Sequence, residues 1–368
     1  MPCVADTPFP EDLQTPRLTL RRPVQGDRDF WVRVHRDPRT YQHAPHAMAA
    51  TDEAASAQFD KVLVHWAERG FGYHVIEQGG SSDGGPVGVG GLKLNPATDD
   101  IPAELNLYYR LVPEAHGQGL AREASRAWVA WGIEWLPADL PIIAAAKAAN
   151  PRSIATARSA GLTEVGSRLL PGDPPEFGES VILQAPTVEV VSGEAFDGDD
   201  CDAVLDLWCA TNDAGGAVGF LPGAPRAAVA KALAAHEQGM RSGDVTAVVL
   251  RTPAAESADR HGPGALVALA FWSRPANPLL HHRRTAYRVM TDPTHRGRNL
   301  GRLLMAAMHR VARADGVEIV ELGVRSGYGT EDFYAGLGYE EIGRLKGGIR
   351  VAPGDDRDDI HMARRLDQ

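Results

Sequence analysis

Arg288-Val289-Met290-Thr291-Asp292-Pro293-Thr294-His295-Arg296-Gly297-Arg298-Asn299-Leu300-Gly301 closes an apolar strand, turns, and enters the helical run Arg302-Leu303-Leu304-Met305-Ala306-Ala307-Met308. A loop of small residues at a helix start presents several backbone N–H groups at the positive end of the dipole. That geometry suits a phosphate or pyrophosphate. Glycine also turns a chain merely because it turns easily, so one such loop does not establish a ligand site.

A second copy does more. Tyr109 to Ala121 reads Tyr-Arg-Leu-Val-Pro-Glu-Ala-His-Gly-Gln-Gly-Leu-Ala, again strand, Pro and small-residue loop, then the helix from Arg122 to Trp128. Behind each loop lies a short helix closed by glycine and a larger residue, Ser153 to Gly161-Leu162 and Glu331 to Gly338-Tyr339. Each then enters a strand, Thr163 to Gly166 and Glu340 to Gly343. A fixed order of elements occurring twice is an internal repeat, and the chain reads as a tandem duplication.

Both halves resemble the GCN5-related N-acetyltransferases (GNAT), whose loop pattern Arg/Gln-x-x-Gly-x-Gly/Ala grips the pyrophosphate of acetyl-CoA. The resemblance spans residues 13–185 and 187–368. It implies an α/β (α+β) fold of two tandem domains. Each would be a mixed, mostly antiparallel twisted sheet flanked by helices, with a splayed central strand pair. It also implies acetyl-CoA as cosubstrate, with no metal. On the C-terminal side Val289, Met290, Thr291, Arg296, Gly297, Arg298, Asn299, Leu300 and Gly301 would hold it. On the N-terminal side the matching set is Leu111, Val112, His116, Gly117, Gln118, Gly119, Leu120 and Ala121.

Composition bounds the rest. With 368 residues the chain exceeds one compact core and suits two domains. A hydrophobic fraction of 43% beside 23% charged residues is that of a globular, soluble chain. No apolar run is long enough to span a bilayer, and Met-Pro-Cys-Val-Ala-Asp lacks a leader's basic flank, so a cytoplasmic location is expected. A formal charge of −10 argues against nucleic acid as a partner and mildly favours cationic substrates such as amines. Cys3, Cys201 and Cys209 show no close metal-ligand spacing and are read as reduced thiols.

Periodicity and capping signals lay out the elements. Residues 1–12 read as a loose tail and Arg17 to Arg21 as a half-buried strand. Helices are expected over 27–36 and 51–69, the second capped by Thr51 and closed by Gly70. A hairpin of 71–77 and 87–94 turns at Gly79 to Gly85. The strand 103–111, helix 122–135, strand 142–147, helix 151–159 and strands 163–170 and 179–184 complete the first half. After the boundary at Ala185-Pro186-Thr187 the order restarts, with strand 188–191 and helices 201–209 and 225–240. Strands 246–251 and 265–273 are joined by a polar segment, Thr252 to Gly264, expected to be mobile. Strand 284–290, helix 300–315, strand 319–324 and helix 330–337 follow. A last pair of strands is joined through Lys346 to Asp359, read as a long Gly/Asp-rich loop. Its acidic run Asp355-Asp356-Arg357-Asp358-Asp359 lacks EF-hand spacing and reads as solvated rather than metal-binding.

Acetyl transfer to an amine requires a held donor, a base, an oxyanion donor and an acid for the departing thiolate. Tyr334 matches the tyrosine that protonates the thiolate in many family members, and Asn299 stands where glycine is usual. The base is open between Glu321, Asp332 and a chain of waters. The C-terminal half looks most like tabtoxin-resistance-type enzymes, which act on a small amine or amino-acid-like toxin. The N-terminal half resembles the RimJ/RimL-like ribosomal-protein branch. There Asn150 and Ser153 would contact coenzyme A, Ser153 would serve as acid and Glu104 as base. Ala157 replaces the tyrosine, and His116 replaces the loop's Arg/Gln with less charge at neutral pH. The expectation is therefore a cytoplasmic acetyltransferase of a small primary amine, with the C-terminal domain the catalyst. Its pseudo-dimeric domains would make it a monomer, with a homodimer possible. A catalytically inactive acyl-CoA sensor and a protein N-terminal acetyltransferase are the alternatives.

Overall fold

A computed structural model describes residues 9–79, 85–253 and 264–366. The chain divides into two compact units, the first running to Pro186 and the second resuming at Thr187. In the first unit the strands are β1 (Leu13–Gln14), β2 (Leu18–Arg21), β3 (Tyr73–Gln78), β4 (Pro86–Asn95), β5 (Glu104–Leu111), β6 (Ile142–Lys147), β7 (Thr163–Arg168) and β8 (Ser180–Gln184). Its helices are α1 (Arg28–Arg36), α2 (Asp52–Arg69), α3 (Leu120–Trp135) and α4 (Pro151–Ser159). The second unit has β9 (Thr187–Val191), β10 (Val245–Arg251), β11 (Leu266–Ser273), β12 (Arg283–Thr291), β13 (Ile319–Arg325), β14 (Glu340–Ala352) and β15 (Asp355–Arg365). Its helices are α5 (Gly198–Asp213), α6 (Arg226–Ser242), α7 (Leu300–Ala314) and α8 (Thr330–Ala335).

The two sheets follow one plan. The first is ordered β1-β2-β3-β4-β5-β6-β8-β7 and the second, from its other end, β9-β10-β11-β12-β13-β15-β14. Each contains one parallel pair, β5 with β6 and β12 with β13, and every other pair is antiparallel. Those parallel pairs are brief. β5 meets β6 only at Leu105–Ile142 and Asn106–Ile143, and β12 meets β13 only from Arg283–Ile319 to Thr285–Glu321. Beyond these points the two strands no longer pair with each other, so each sheet opens toward its strand C-termini, where the glycine loops begin.

Local chemistry sets the elements that frame these openings. Thr51 accepts from the Ala54 N–H at 3.2 Å, and Gly70 ends α2 with φ +76°. In β4, a Cβ on Gly90 would lie 2.7 Å from the Trp128 ring, so glycine lets α3 lie flat on the sheet. The second unit's core gathers Trp208, Phe271, Met290, Leu233 and Val249, all fully buried. Trp66, Trp208 and Trp272 are core residues, and each indole donates to a backbone carbonyl.

Two expectations need correction. The supposed loose tail is docked from Phe9 onward. Phe9 packs edge-on against Trp131, the Pro10 carbonyl accepts from that indole, and Leu13–Gln14 adds a short strand. Lys346 to Asp359 is not a loop but the distal part of a hairpin, turning only between Ala352 and Asp355. Its acids are paired across the ribbon, Arg344 with Asp358 and Arg350 with Asp356, while Arg357 binds Asp355 on its own strand. Alternating opposite charges can hold an exposed ribbon that has little apolar area to bury. The Gly79 to Gly85 turn and the Thr252 to Gly264 segment lie mostly outside the described residues.

Candidate active site

The loops superpose in conformation as well as in sequence. A one-turn helix, Pro113–Ala115 or Pro293–His295, precedes each. Two left-handed residues then alternate with extended ones: Gly117 and Gly119 at φ +76°, Gly297 at +80° and Asn299 at +66°. The second left-handed residue is the N-cap of α3 or α7, and neither helix has a side-chain cap over its first turn. Asn299 therefore adopts the backbone of the glycine it replaces. Leu111, Leu120, Met290 and Leu300 send their side chains into the core, which leaves only their backbone groups available to a ligand.

The residues that open the loops are held differently. Arg296 donates to the Ala214 carbonyl at the end of α5, 3.0 Å away. His116 folds back to within 3.2 Å of the Leu111 carbonyl. The cation beside the N-terminal loop is instead Arg17, bound to the Gln118 carbonyl at 2.9 Å and to Glu123 at 2.6 Å. No signal near the loop pointed to Arg17, because β2 lies about a hundred residues earlier in sequence.

In the second unit the opening between β12 and β13 holds a cavity of about 240 Å³. Arg288, Val289, Thr291 and Arg296 line one side, Leu322 to Arg325 another, Thr330 and Tyr334 the α8 side, and Thr211 with Gly216 to Val218 a further one. Tyr334 is buried and its phenol is pushed above its ordinary pKa by desolvation. It stays protonated throughout the neutral range and can serve as a proton donor but not as a base. The Tyr339 N–H closes this helix by donating to the Tyr334 carbonyl at 3.1 Å. The Leu162 N–H closes the other by donating to Ala157 at 3.2 Å. The same bond in both units confirms that Ala157 occupies the tyrosine's place.

Neither candidate carboxylate is free to act as it stands. Both oxygens of Glu104 are within 2.7 Å of Arg168 Nη2 from β7. Glu321 is bound by Arg283 and accepts from the Thr285 hydroxyl at 3.0 Å, at the closed end of the opening. Asp332 is exposed. Among the described residues, the cavity lining has three arginines and no Asp, Glu or His. The acidic surface of the chain gave no hint of this.

The first unit's opening is bridged. Tyr109 of β5 donates to Ser153 Oγ of α4 at 3.4 Å. Counted from the loop, Tyr109 corresponds to Val289, and counted from the Ala157–Tyr334 match, Ser153 corresponds to Thr330; both line the C-terminal cavity. Asn150 uses its Oδ1 to cap α4, accepting from the Ser153 N–H at 3.1 Å. Among the described residues no group of His, Cys, Asp and Glu is arranged to hold a metal, and Cys201 and Cys209 are free thiols.

A sheet that opens over a phosphate-shaped helix start, twice in one chain, defines a duplicated ligand-binding α/β protein. A family model described as an acetyltransferase (GNAT) domain matches residues 17–163, and another of the same description matches residues 261–341. The chain belongs to the GNAT acetyltransferases, with one such domain in each half, and is an acyltransferase. Similar solved structures include an acetyltransferase from Agrobacterium tumefaciens, at 24% identity and TM-score 0.38, covering 48% of this chain and 95% of its own. Another is a ribosomal-protein-alanine N-acetyltransferase from Brucella melitensis, at 19% and 0.37, covering 48% and 98%. A third, from Salmonella typhimurium and described with acetyl-CoA as its cofactor, stands at 16% and 0.37, covering 50% and 95%. No helix among the described residues is long and apolar enough to cross a membrane.

Proposed function

We propose that the chain transfers an acetyl group from acetyl-CoA to the primary amine of a small molecule, an antibiotic, toxin or amino-acid-like metabolite. The C-terminal domain is the catalyst. The observation that carries this reading is the C-terminal cavity, where the glycine loop, Arg296 and Tyr334 meet in one opening. The loop N–H groups and Arg296 suit the pyrophosphate, and the unpaired edge of β12 suits the amide-bearing arm. The amine nitrogen attacks the thioester carbonyl, its C–N bond forms as the C–S bond breaks, and the thiolate takes the Tyr334 proton. The proton lost by the amine leaves through water, since the lining offers no carboxylate or imidazole to take it.

The cavity admits the reacting end of a thioester and a compact acceptor, which favours a small molecule over a folded protein's terminus. In the N-terminal domain, the Tyr109–Ser153 bridge and the loss of the tyrosine acid favour a scaffold role. The duplicated architecture suits a monomer.

Calorimetric titration with acetyl-CoA of the wild type and Arg296→Glu tests this assignment. One equivalent lost on substitution places the working site in the C-terminal domain. One equivalent that survives moves it to the N-terminal domain, and no binding removes acetyl transfer altogether.

A further inference from the structure

Arg288 sits within β12 at φ +54°, a left-handed conformation costly for any residue but glycine and rare inside a strand. The cause is a bulge. β11 pairs with β12 at Leu269–Met290 and again at Phe271–Tyr287, leaving Arg288 and Val289 out of register. Bulges re-aim side chains, and this one sends the guanidinium into the cavity lining, beside Val218 and Gly216. It lies over the Trp208 ring, 5.4 Å from its centre, and Gly219 (φ +101°) leaves the room it occupies, since a Cβ there would collide with it. The corresponding stretch of β5 pairs with β4 without any shift, and Tyr108 stands at that position.

The three arginines of the cavity are not equivalent. Arg296 is tied to the Ala214 carbonyl, and Arg325 lies over Tyr328 with its charge felt by Asp355. Arg288 has no carboxylate partner among the described residues, and its Nε, like that of Arg325, is buried without a hydrogen-bond partner. Burial lowers its pKa from the usual arginine value. His236 of α6, which feels the Arg288 charge, is held neutral by burial first and by that charge second, with a pKa of about 4, and supplies no counter-charge. A desolvated guanidinium without a partner is costly. A strained backbone that keeps it so points to an anion supplied from outside. The surrounding Trp208, Gly219 and His236 belong to α5, α6 and the segment between them, not to the loop that faces the pyrophosphate. The anion is therefore on the acceptor.

We propose that the acceptor carries a carboxylate close to its reacting amine, and that Arg288 binds this carboxylate through its planar fork. This deepens the small-amine reading of the C-terminal cavity and rests on it. Arg288 is then a specificity-determining residue: it places the amine against the thioester and disfavours cationic amines such as polyamines, which would bring a second positive charge to an arginine-lined cleft.

The test uses the full chain, acetyl-CoA, and matched acceptor sets in which each L-amino acid is compared with its carboxamide and its decarboxylated amine. Initial rates of coenzyme A release are read for wild type, Arg288→Gln and Arg288→Lys. A charge-assisted contact of this kind predicts a kcat/KM ratio of about 10–100 for the preferred carboxylate over its amide. Arg288→Gln should bring that ratio to about one through a rise in KM, while Arg288→Lys keeps part of it. An unchanged acetyl-CoA titration for Arg288→Gln shows that the variant folds. Amides or bare amines used as well as carboxylates would overturn the proposal and leave the acetyltransferase reading standing. So would a ratio that survives Arg288→Gln, or acetyl-CoA binding with no carboxylate turned over. Failure of acetyl-CoA to bind the wild type defeats the underlying reading instead.

Discussion

Tyr334 and Tyr109 hold opposite positions in the duplicated scheme, one donating into an open cleft and the other bridging a closed one. Burial raises the Tyr334 pKa, so its acid form persists above the ordinary tyrosine range. Tyr334→Phe should therefore lower kcat by about 100-fold, within the usual span for general acids, with acetyl-CoA affinity unchanged by calorimetry. A kcat loss below threefold would reduce Tyr334 to a packing residue. The same shift gives wild-type kcat no alkaline limb up to about pH 10, the ordinary tyrosine value, and a limb near pH 8 would assign the acid elsewhere. Tyr109→Val copies Val289 and removes the hydrogen bond to Ser153, at a cost to stability of about 1 kcal/mol. Measured in the Arg296→Glu background, it should produce or tighten acetyl-CoA binding by the N-terminal domain. No change in titration would show that the bridge is not what closes that cleft.

At the scale of elements, the loop and the helix it starts behave as one unit, because two left-handed residues aim the helix N-terminus. Asn299 at φ +66° tolerates this conformation, whereas a β-branched residue resists it by about 1–2 kcal/mol. Asn299→Gly should leave both melting temperature and acetyl-CoA affinity close to wild type, and Asn299→Val should lower both. Equal affinity for the two variants would mean the loop's backbone geometry does not hold the coenzyme. The closing hairpin shows a limit of pattern reading. Its residues are polar, charged and glycine-containing, and β14 is mostly exposed along its length. Periodicity detects a face turned to a core, and this ribbon is held by cross-strand ion pairs with little such face.

For the whole molecule, each unit buries histidine: His35 and His74 in the first and His309 in the second. His35 and His74 are both depressed to about 4, chiefly by desolvation, as is half-buried His236 of the second unit, while the two ring nitrogens of His309 meet Tyr339 and Arg364. A depressed pKa contributes stability above the unfolded value, near 6.5, and that contribution is lost as pH falls toward 4. By pH 5 the first unit should have lost about 2 kcal/mol for each of its two histidines, an order-of-magnitude figure. Scanning calorimetry at pH 7 and pH 5 should show one transition moving down more than the other. The mover should be identified as the N-terminal unit by its disappearance in a His35→Gln, His74→Gln chain. Transitions that move together contradict this.

The sequence by itself determined the duplication, the order of strands and helices and the loop that starts α3 and α7. Each of these is written in local signals: apolar periodicity, a capping threonine, and glycine or asparagine where φ must be positive. Helix α4 and strand β6 agree with their sequence reading to the residue. How the charges are used depends on the assembled fold. Glu104 is taken by Arg168, 64 residues away and three positions along the sheet, and Glu321 by Arg283, 38 residues away, where register pairs β12 with β13. Arg288 stood at the head of the decisive stretch without standing out as a site residue. Its place in the cleft depends on a bulge against β11, a glycine at 219 and an indole from α5, which meet only after the sheet has formed. Elements follow from short-range stereochemistry, whereas the partner of a charge is set by where the fold places segments distant in sequence.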